Sequence, residues 1–131
     1  MERFLWICLG GAVGSGARYL VAGWVQTRVQ EWLGHGFPYG TFAVNLLGSF
    51  LLGVLMQVGM TVESMSPTLR MALSIGVMGG FTTYSTFSYE TMRLLQDSAW
   101  LLAFTNIALT VLICLGACFL GVAAARAIVG S

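Results

Sequence analysis

The stretch "GGFTTYSTFSYE", Gly79–Glu90, decides how this chain is read. Two adjacent glycines meet a dense run of hydroxyl groups and aromatic rings, inside a segment that carries no charge from Met71 to Tyr89. Glycine is a poor helix residue, and two β-branched threonines follow at once, so "MGGFTT" (Met78–Thr83) predicts a break in a helix. Within a bilayer, non-helical backbone is tolerated only where protein or water covers it. The carbonyl oxygens that a break frees are hard ligands, suited to a sodium-like cation. A plain kink, with Thr82 and Thr83 bonding back to their own helix, accounts for the same residues.

The rest of the chain supplies the bilayer. Its 131 residues are 57% hydrophobic and 8% charged, with a mean hydropathy of +0.84. A soluble domain carries about 25% charged residues, so the composition is that of an integral membrane protein. The net charge of +1 comes from scattered arginines. Nucleic acid is therefore not an expected partner, because phosphate binding needs a clustered basic face. Cys8, Cys114 and Cys118 lie in apolar segments without metal-type spacing. His35, the sole histidine, sits in a polar loop, which argues against a Ser–His–Asp arrangement and against an enzyme. Glu2 and Arg3 before an apolar run imitate a signal peptide. The four-residue spacing of Gly10 and Gly14, and Arg18 in the same segment, favour a first membrane span instead.

A membrane-crossing helix needs about 20 mostly apolar residues. Phe4–Val25 is apolar but for Arg18, and Gly36–Val62 and Ala99–Ala125 are free of charge. With Met71–Tyr89 these predict one domain over residues 1–131. The expected fold class is an all-α membrane protein of four transmembrane helices, near 4–27, 38–60, 67–95 (broken near 79–83) and 98–127. "QTRVQEWLGHGFPYG", "VESMSPTLR" and "RLLQDS" are the connections. Ser66 is a candidate cap before Pro67, and Asp97 or Ser98 before the last helix. Gly10/Gly14, Gly76/Gly80 and Ala117/Gly121/Ala125 have the spacing that lets helices approach closely in lipid. With four spans, Arg3, Arg70 and Arg126 fall on one side and Arg18, Arg28 and Arg93 on the other. An excess of basic residues normally sets orientation. The balance here favours dual topology, in which copies insert both ways and pair antiparallel.

Within this frame the polar residues have a job. Tyr84 and Phe87 share a helix face, and an aromatic ring has a positive edge. Ring edges, hydroxyls and amides can replace part of a small anion's hydration shell without a formal charge to trap it. Conduction needs binding firm enough to enter and weak enough to leave. Asn45 with Ser49, and Asn106, Thr110 and Cys114 at four-residue spacing, add polar groups on two other helices. Glu90 faces an interior or cavity, or else pairs with Arg93 at the interface. Arg18 either snorkels to the headgroups or gathers anions at a vestibule.

Three stretches together carry a family resemblance over nearly the whole chain: "GGAVGSGARY" (Gly10–Tyr19), "PYGTFAVNLLGSFLLG" (Pro38–Gly53) and "GVMGGFTTYSTFSYE" (Gly76–Glu90). The chain resembles the Fluc/CrcB family of fluoride ion channels. The resemblance implies an antiparallel dual-topology homodimer in a bacterial or archaeal plasma membrane, with two fluoride pores. It also implies a structural sodium ion on the two-fold axis, held by main-chain carbonyls of Gly79 and Thr82 from both subunits. The pore rings fall on Tyr84 and Phe87, the pore asparagine on Asn45, and the polar track on Glu90, Asn106, Thr110 and Cys114. Two positions depart from the common pattern. Tyr84 stands where phenylalanine is usual, and Cys114 stands where a hydroxyl is more frequent, a thiol being the weaker donor.

The expected function is passive, selective leakage of cytoplasmic fluoride. A small dual-topology multidrug cation/proton antiporter is the main alternative. It requires a membrane-embedded carboxylate, for which Glu90 is the only candidate, since the first helix carries Arg18 and no acid within the bilayer. A non-transporting assembly subunit is the other.

Overall fold

In the computed structural model, which describes residues 1–130, every regular element is helical. Helix α1 covers Glu2–Leu33 and α2 covers Tyr39–Thr61. The third apolar segment is divided into α3 (Pro67–Met71), a π-helical stretch (Ala72–Met78), α4 (Gly79–Phe81) and α5 (Tyr84–Gln96). Helix α6 covers Trp100–Val129. Among the described residues, α1, α2 and α6 are long and apolar enough to cross a membrane. Helix α5 has 13 residues and reaches only about 20 Å at 1.5 Å per residue, short of a hydrocarbon core about 30 Å thick.

Local chemistry sets most boundaries. Helix α1 runs past residue 27 because no glycine or proline interrupts it before Gly34, whose φ of +95° ends it; Gly36, at φ +110°, completes the turn. At α3, Ser66 Oγ accepts from the N–H of Leu69 at 3.2 Å, with Pro67 in the first position. Neither Asp97 nor Ser98 caps α6. Asp97 instead ends α5, and Ser98 takes a left-handed turn (φ +58°) that leaves Ala99 at the cap position.

Packing depends on small residues. Helix α2 lies along α6, and α1 lies along the π stretch and α4. A methyl group built on Gly53 would collide with the carbonyl of Cys118, and one on Gly121 with the carbonyl of Phe50. Gly10 and Gly14 meet Ala72 and Val77 in the same way, while Gly76 and Gly80 meet Ile7 and Gly11. The backbones therefore touch, as helices do in lipid. Large apolar side chains such as Trp24, Leu101, Leu112 and Phe119 point outward, which suits a lipid or protein partner and not water.

Helical geometry stops after Phe81 and resumes at Tyr84, with Thr82 (φ −88°, ψ 159°) and Thr83 (φ −151°, ψ 113°) extended. The interruption lies at the threonines and not at Gly79 and Gly80, which stay helical. Gly80 is used for close approach to α1. The threonines have branched side chains that favour extended backbone.

These contacts predict unequal costs for glycine substitutions. Gly121→Val should lower stability by about 1–3 kcal/mol, the usual scale of overpacking. Gly116→Ala, with open space around its Cα, should be neutral or slightly stabilising. Thermal unfolding in detergent compares them; equal midpoints for both variants would contradict the α2–α6 packing.

Candidate functional site

The two extended residues expose peptide groups that a helix would have paired, and Asn45 of α2 meets them. Its Oδ1 accepts from the Thr83 N–H at 2.7 Å, and its Nδ2 donates to the Thr83 carbonyl at 3.0 Å. Both residues are buried. Gly48, one turn further along α2, leaves room for Thr82 and Phe81, since a methyl group there would overlap the Thr82 side chain. The hydroxyls mend the rest. Thr82 Oγ1 donates to Met78 O at 3.0 Å, and Thr83 Oγ1 accepts from the Thr86 N–H at 3.2 Å, capping α5.

Two carbonyls come out of this repair without their helical donors. In a continuous α-helix the Thr83 N–H would serve Gly79 O, and the Thr86 N–H would serve Thr82 O. Here those N–H groups go to Asn45 and to the Thr83 hydroxyl. Gly79 and Thr82 are thus left with hard, neutral oxygen donors, which is the chemistry a sodium ion requires. The fit is of donor type; a second copy of the chain would have to complete the shell.

A cleft of about 240 Å³ opens beside the interruption. It is lined by Asn45, Gly48, Ser49 and Leu52 of α2, by Thr82, Thr83, Tyr84 and Phe87 of the third segment, and by Thr110 and Cys114 of α6. Every lining residue is uncharged. The rings of Tyr84 and Phe87 lie 5.6 Å apart, tilted by 54°. Phe87 is buried, whereas Tyr84 is 80% exposed and points away from the chain's own core.

The remaining expected site residues are placed elsewhere. Asn106 does not line the cleft. It is fully buried, donating through Nδ2 to Thr91 Oγ1 at 2.9 Å and accepting from the Thr110 hydroxyl at 3.4 Å. It joins α6 to α5 behind the cleft wall. Glu90 is also apart from the cleft, and it pairs with a residue that reading by sequence did not single out: Thr41 Oγ1 donates to Glu90 Oε1 at 2.8 Å. Glu90 and Thr41 border a second hollow of about 400 Å³ together with Arg18. Arg18 therefore faces a polar recess. Thr41 lies one turn before Asn45, so the i, i+4 rule was the signal that could have found it. Thr91 lies four residues after Phe87 and carries the same local signal, but its bond from Asn106 on another helix does not show in the spacing.

Residues 5–122 match the family described as CrcB-like protein, Camphor Resistance (CrcB). The chain is similar to a protein of Sorangium cellulosum named fluoride-specific ion channel FluC, with 52% identity over 129 residues and 98% of each chain covered. A protein of the same name from Geotalea daltonii is 48% identical, covering 96% of this chain and 98% of its own. One from Geobacter sp. (strain M21) is 46% identical, covering 98% and 100%.

The Asn45 clamp yields a direct expectation. Asn45→Leu orphans a buried N–H and a buried C=O, at about 1–3 kcal/mol for each group. Hydrogen exchange should be slow at the Thr83 amide in the native chain and fast in the variant. Unchanged protection would show that Asn45 does not hold the interruption.

Proposed function

The chain belongs to the CrcB family, and on that premise we propose that it is a passive, fluoride-selective ion channel and not an enzyme. The observation that carries the reading is the uncharged cleft beside the interrupted third segment. A fluoride ion leaving water loses strong hydrogen bonds. The second amide hydrogen of Asn45, the Ser49, Thr110 and Cys114 groups, and the ring edges of Tyr84 and Phe87 replace part of that shell. None carries a formal charge, so the ion is held weakly enough to move on. Arg18, in the recess it shares with Glu90, raises the local concentration of anions.

The working unit in this proposal is an antiparallel homodimer with two pores in a bacterial or archaeal plasma membrane. The even split of arginines between the two sides supports dual topology. The exposure of Tyr84 supports a second copy that covers its ring. A structural sodium ion would be held by the Gly79 and Thr82 carbonyls of both subunits, and its charge would stabilise those unpaired oxygens. The role follows from acid–base chemistry. Fluoride enters acid-exposed cells as HF, ionises at the higher internal pH and is trapped. A selective leak lets it out without collapsing other gradients.

Two measurements test this. Purified protein in liposomes should release fluoride and retain chloride; a folded dimer that passes no fluoride would sink the proposal. Phe87→Ile should cut fluoride flux about two- to tenfold, the loss of one ring contact worth about 0.5–1.5 kcal/mol, with the dimer intact on size-exclusion chromatography. Wild-type flux in that variant would remove Phe87 from the path. Separately, several lysines added to the loop at residues 34–38 should fix one orientation and lower activity when that variant is expressed alone; full activity would argue against antiparallel pairing.

A further inference from the structure

Gln26 is half-buried on α1 and belongs to none of the stretches that carry the family resemblance. Its carboxamide reaches across to the start of α2. Nε2 donates to the Phe37 carbonyl at 3.0 Å, and Oε1 accepts from the Gly40 N–H at 2.9 Å. The other amide hydrogen goes to Gln30 Oε1 at 3.4 Å. Two of its bonds go to backbone across the turn, one to Phe37 just before α2 and one to Gly40 in its first turn.

Those bonds fill a gap in α2. The residue at its cap position is Pro38, and no side chain caps it from there. Gly40 lies in the first turn, whose N–H groups have no helical partner. Serine or aspartate at the cap position normally supplies the acceptor; here α1 supplies it from a distance. The two helices are in backbone contact at this point, because a methyl group on Gly40 would collide with the Ala22 carbonyl.

The next residue after Gly40 is Thr41, the hydrogen-bond partner of Glu90. The other carboxylate oxygen, Glu90 Oε2, is buried and has no partner among the described residues. Within the chain, the seat of this carboxylate thus depends on Thr41, and the seat of Thr41 depends on how the first turn of α2 is held. Gln26, Gly40, Thr41 and Glu90 all border one hollow of about 470 Å³ that opens at the α1–α2 turn.

We propose that Gln26 is a positioning residue of the permeation path: by capping α2 from α1, its carboxamide sets Thr41 at the depth where it meets Glu90. The inference rests on the channel reading, in which this hollow is an aqueous approach to the cleft.

A double-mutant cycle in fluoride-loaded liposomes tests it, using full-length wild type, Gln26→Leu, Thr41→Val and the pair. Each single change should slow fluoride release per folded dimer roughly tenfold, within the range measured for coupled neighbours. The pair should be no slower than the worse single variant, because both changes remove the same placement. A Gln26→Leu protein that conducts at the wild-type rate overturns the proposal. Losses that multiply in the pair also overturn it, since they would mark Gln26 as general support for the bundle. If Gln26→Leu does not fold, Gln26→Met enters the cycle under the same criteria, its unbranched side chain filling the site while removing both bonds to backbone. The wild-type trace separates the two ideas. A wild type that releases no fluoride sinks the channel reading and the inference with it, whereas a conducting wild type with an unaffected Gln26→Leu sinks the inference alone.

Discussion

The two hydrogen bonds between the Asn45 carboxamide and the backbone of Thr83 are the constraint on which the rest of the site depends. Away from water, a peptide group without a partner costs about 1–3 kcal/mol. Two extended residues inside an apolar segment would incur that cost at several groups. A carboxamide is suited to the repair because it presents a donor and an acceptor side by side, as the peptide bond does. Aspartate lacks the donor, and leucine lacks both. The clamp also commits the geometry around it. With Thr83 fixed to α2, α5 must start at Tyr84, and the Tyr84 and Phe87 rings are carried to the mouth of the cleft.

The glycine contacts make that clamp possible. Asn45 has a short side chain, so α2 must approach the interruption closely. Gly48 permits this by leaving space for Thr82. On the opposite side, Gly10 and Gly14 of α1 seat the π stretch, and Gly80 seats against Gly11. A π-helical turn is wider than an α-turn and is often found at functional sites. The seven-residue π stretch thus feeds the interruption from one end, while Asn45 holds it at the other. Of the two glycines that drew attention in the sequence, Gly80 is part of this packing and Gly79 faces open space, and the change of direction falls to the threonines.

Helical character and apolar spans were legible because they repeat over tens of residues: charge-free windows, proline at a helix start, and small residues four apart. The site was legible where its residues fall in one local stretch or one helix face, as with Tyr84 and Phe87 or Asn45 and Ser49. Where partnership crosses helices, a linear reading has no handle. Asn106 looked like part of a polar stripe with Thr110 and Cys114. Its burial against Thr91 depends on the crossing of α5 and α6, which no spacing within α6 reveals. The π stretch left no trace either, since "ALSIGVM" is an ordinary apolar run, and its packing on α1 joins residues far apart in sequence. Once folded, the third segment holds no single helix long enough to span, because the threonines divide an apolar run that is long enough as a sequence.

The hydroxyl-rich run invites the thought that every oxygen in it serves a ligand, and the bonding pattern argues otherwise. Thr82 donates to Met78, Thr83 to Thr86, Ser88 to Tyr84 and Thr91 to Phe87, all within the third segment. Those protons stabilise the chain first. Thr110 is turned toward Asn106, but at 3.4 Å that bond is long and readily exchanged. The donors facing the cleft are therefore few: one Asn45 hydrogen, the Ser49 hydroxyl, the exchangeable Thr110 proton, and weak ring edges and thiol. On the proposed channel reading, a site with many committed hydroxyls and few available ones would bind an anion shallowly. Shallow binding is what conduction demands, because a deep well would hold the ion that a channel must release. Most of the polarity of Gly79–Glu90 thus maintains a helix that has been opened, and only a small remainder faces the cleft.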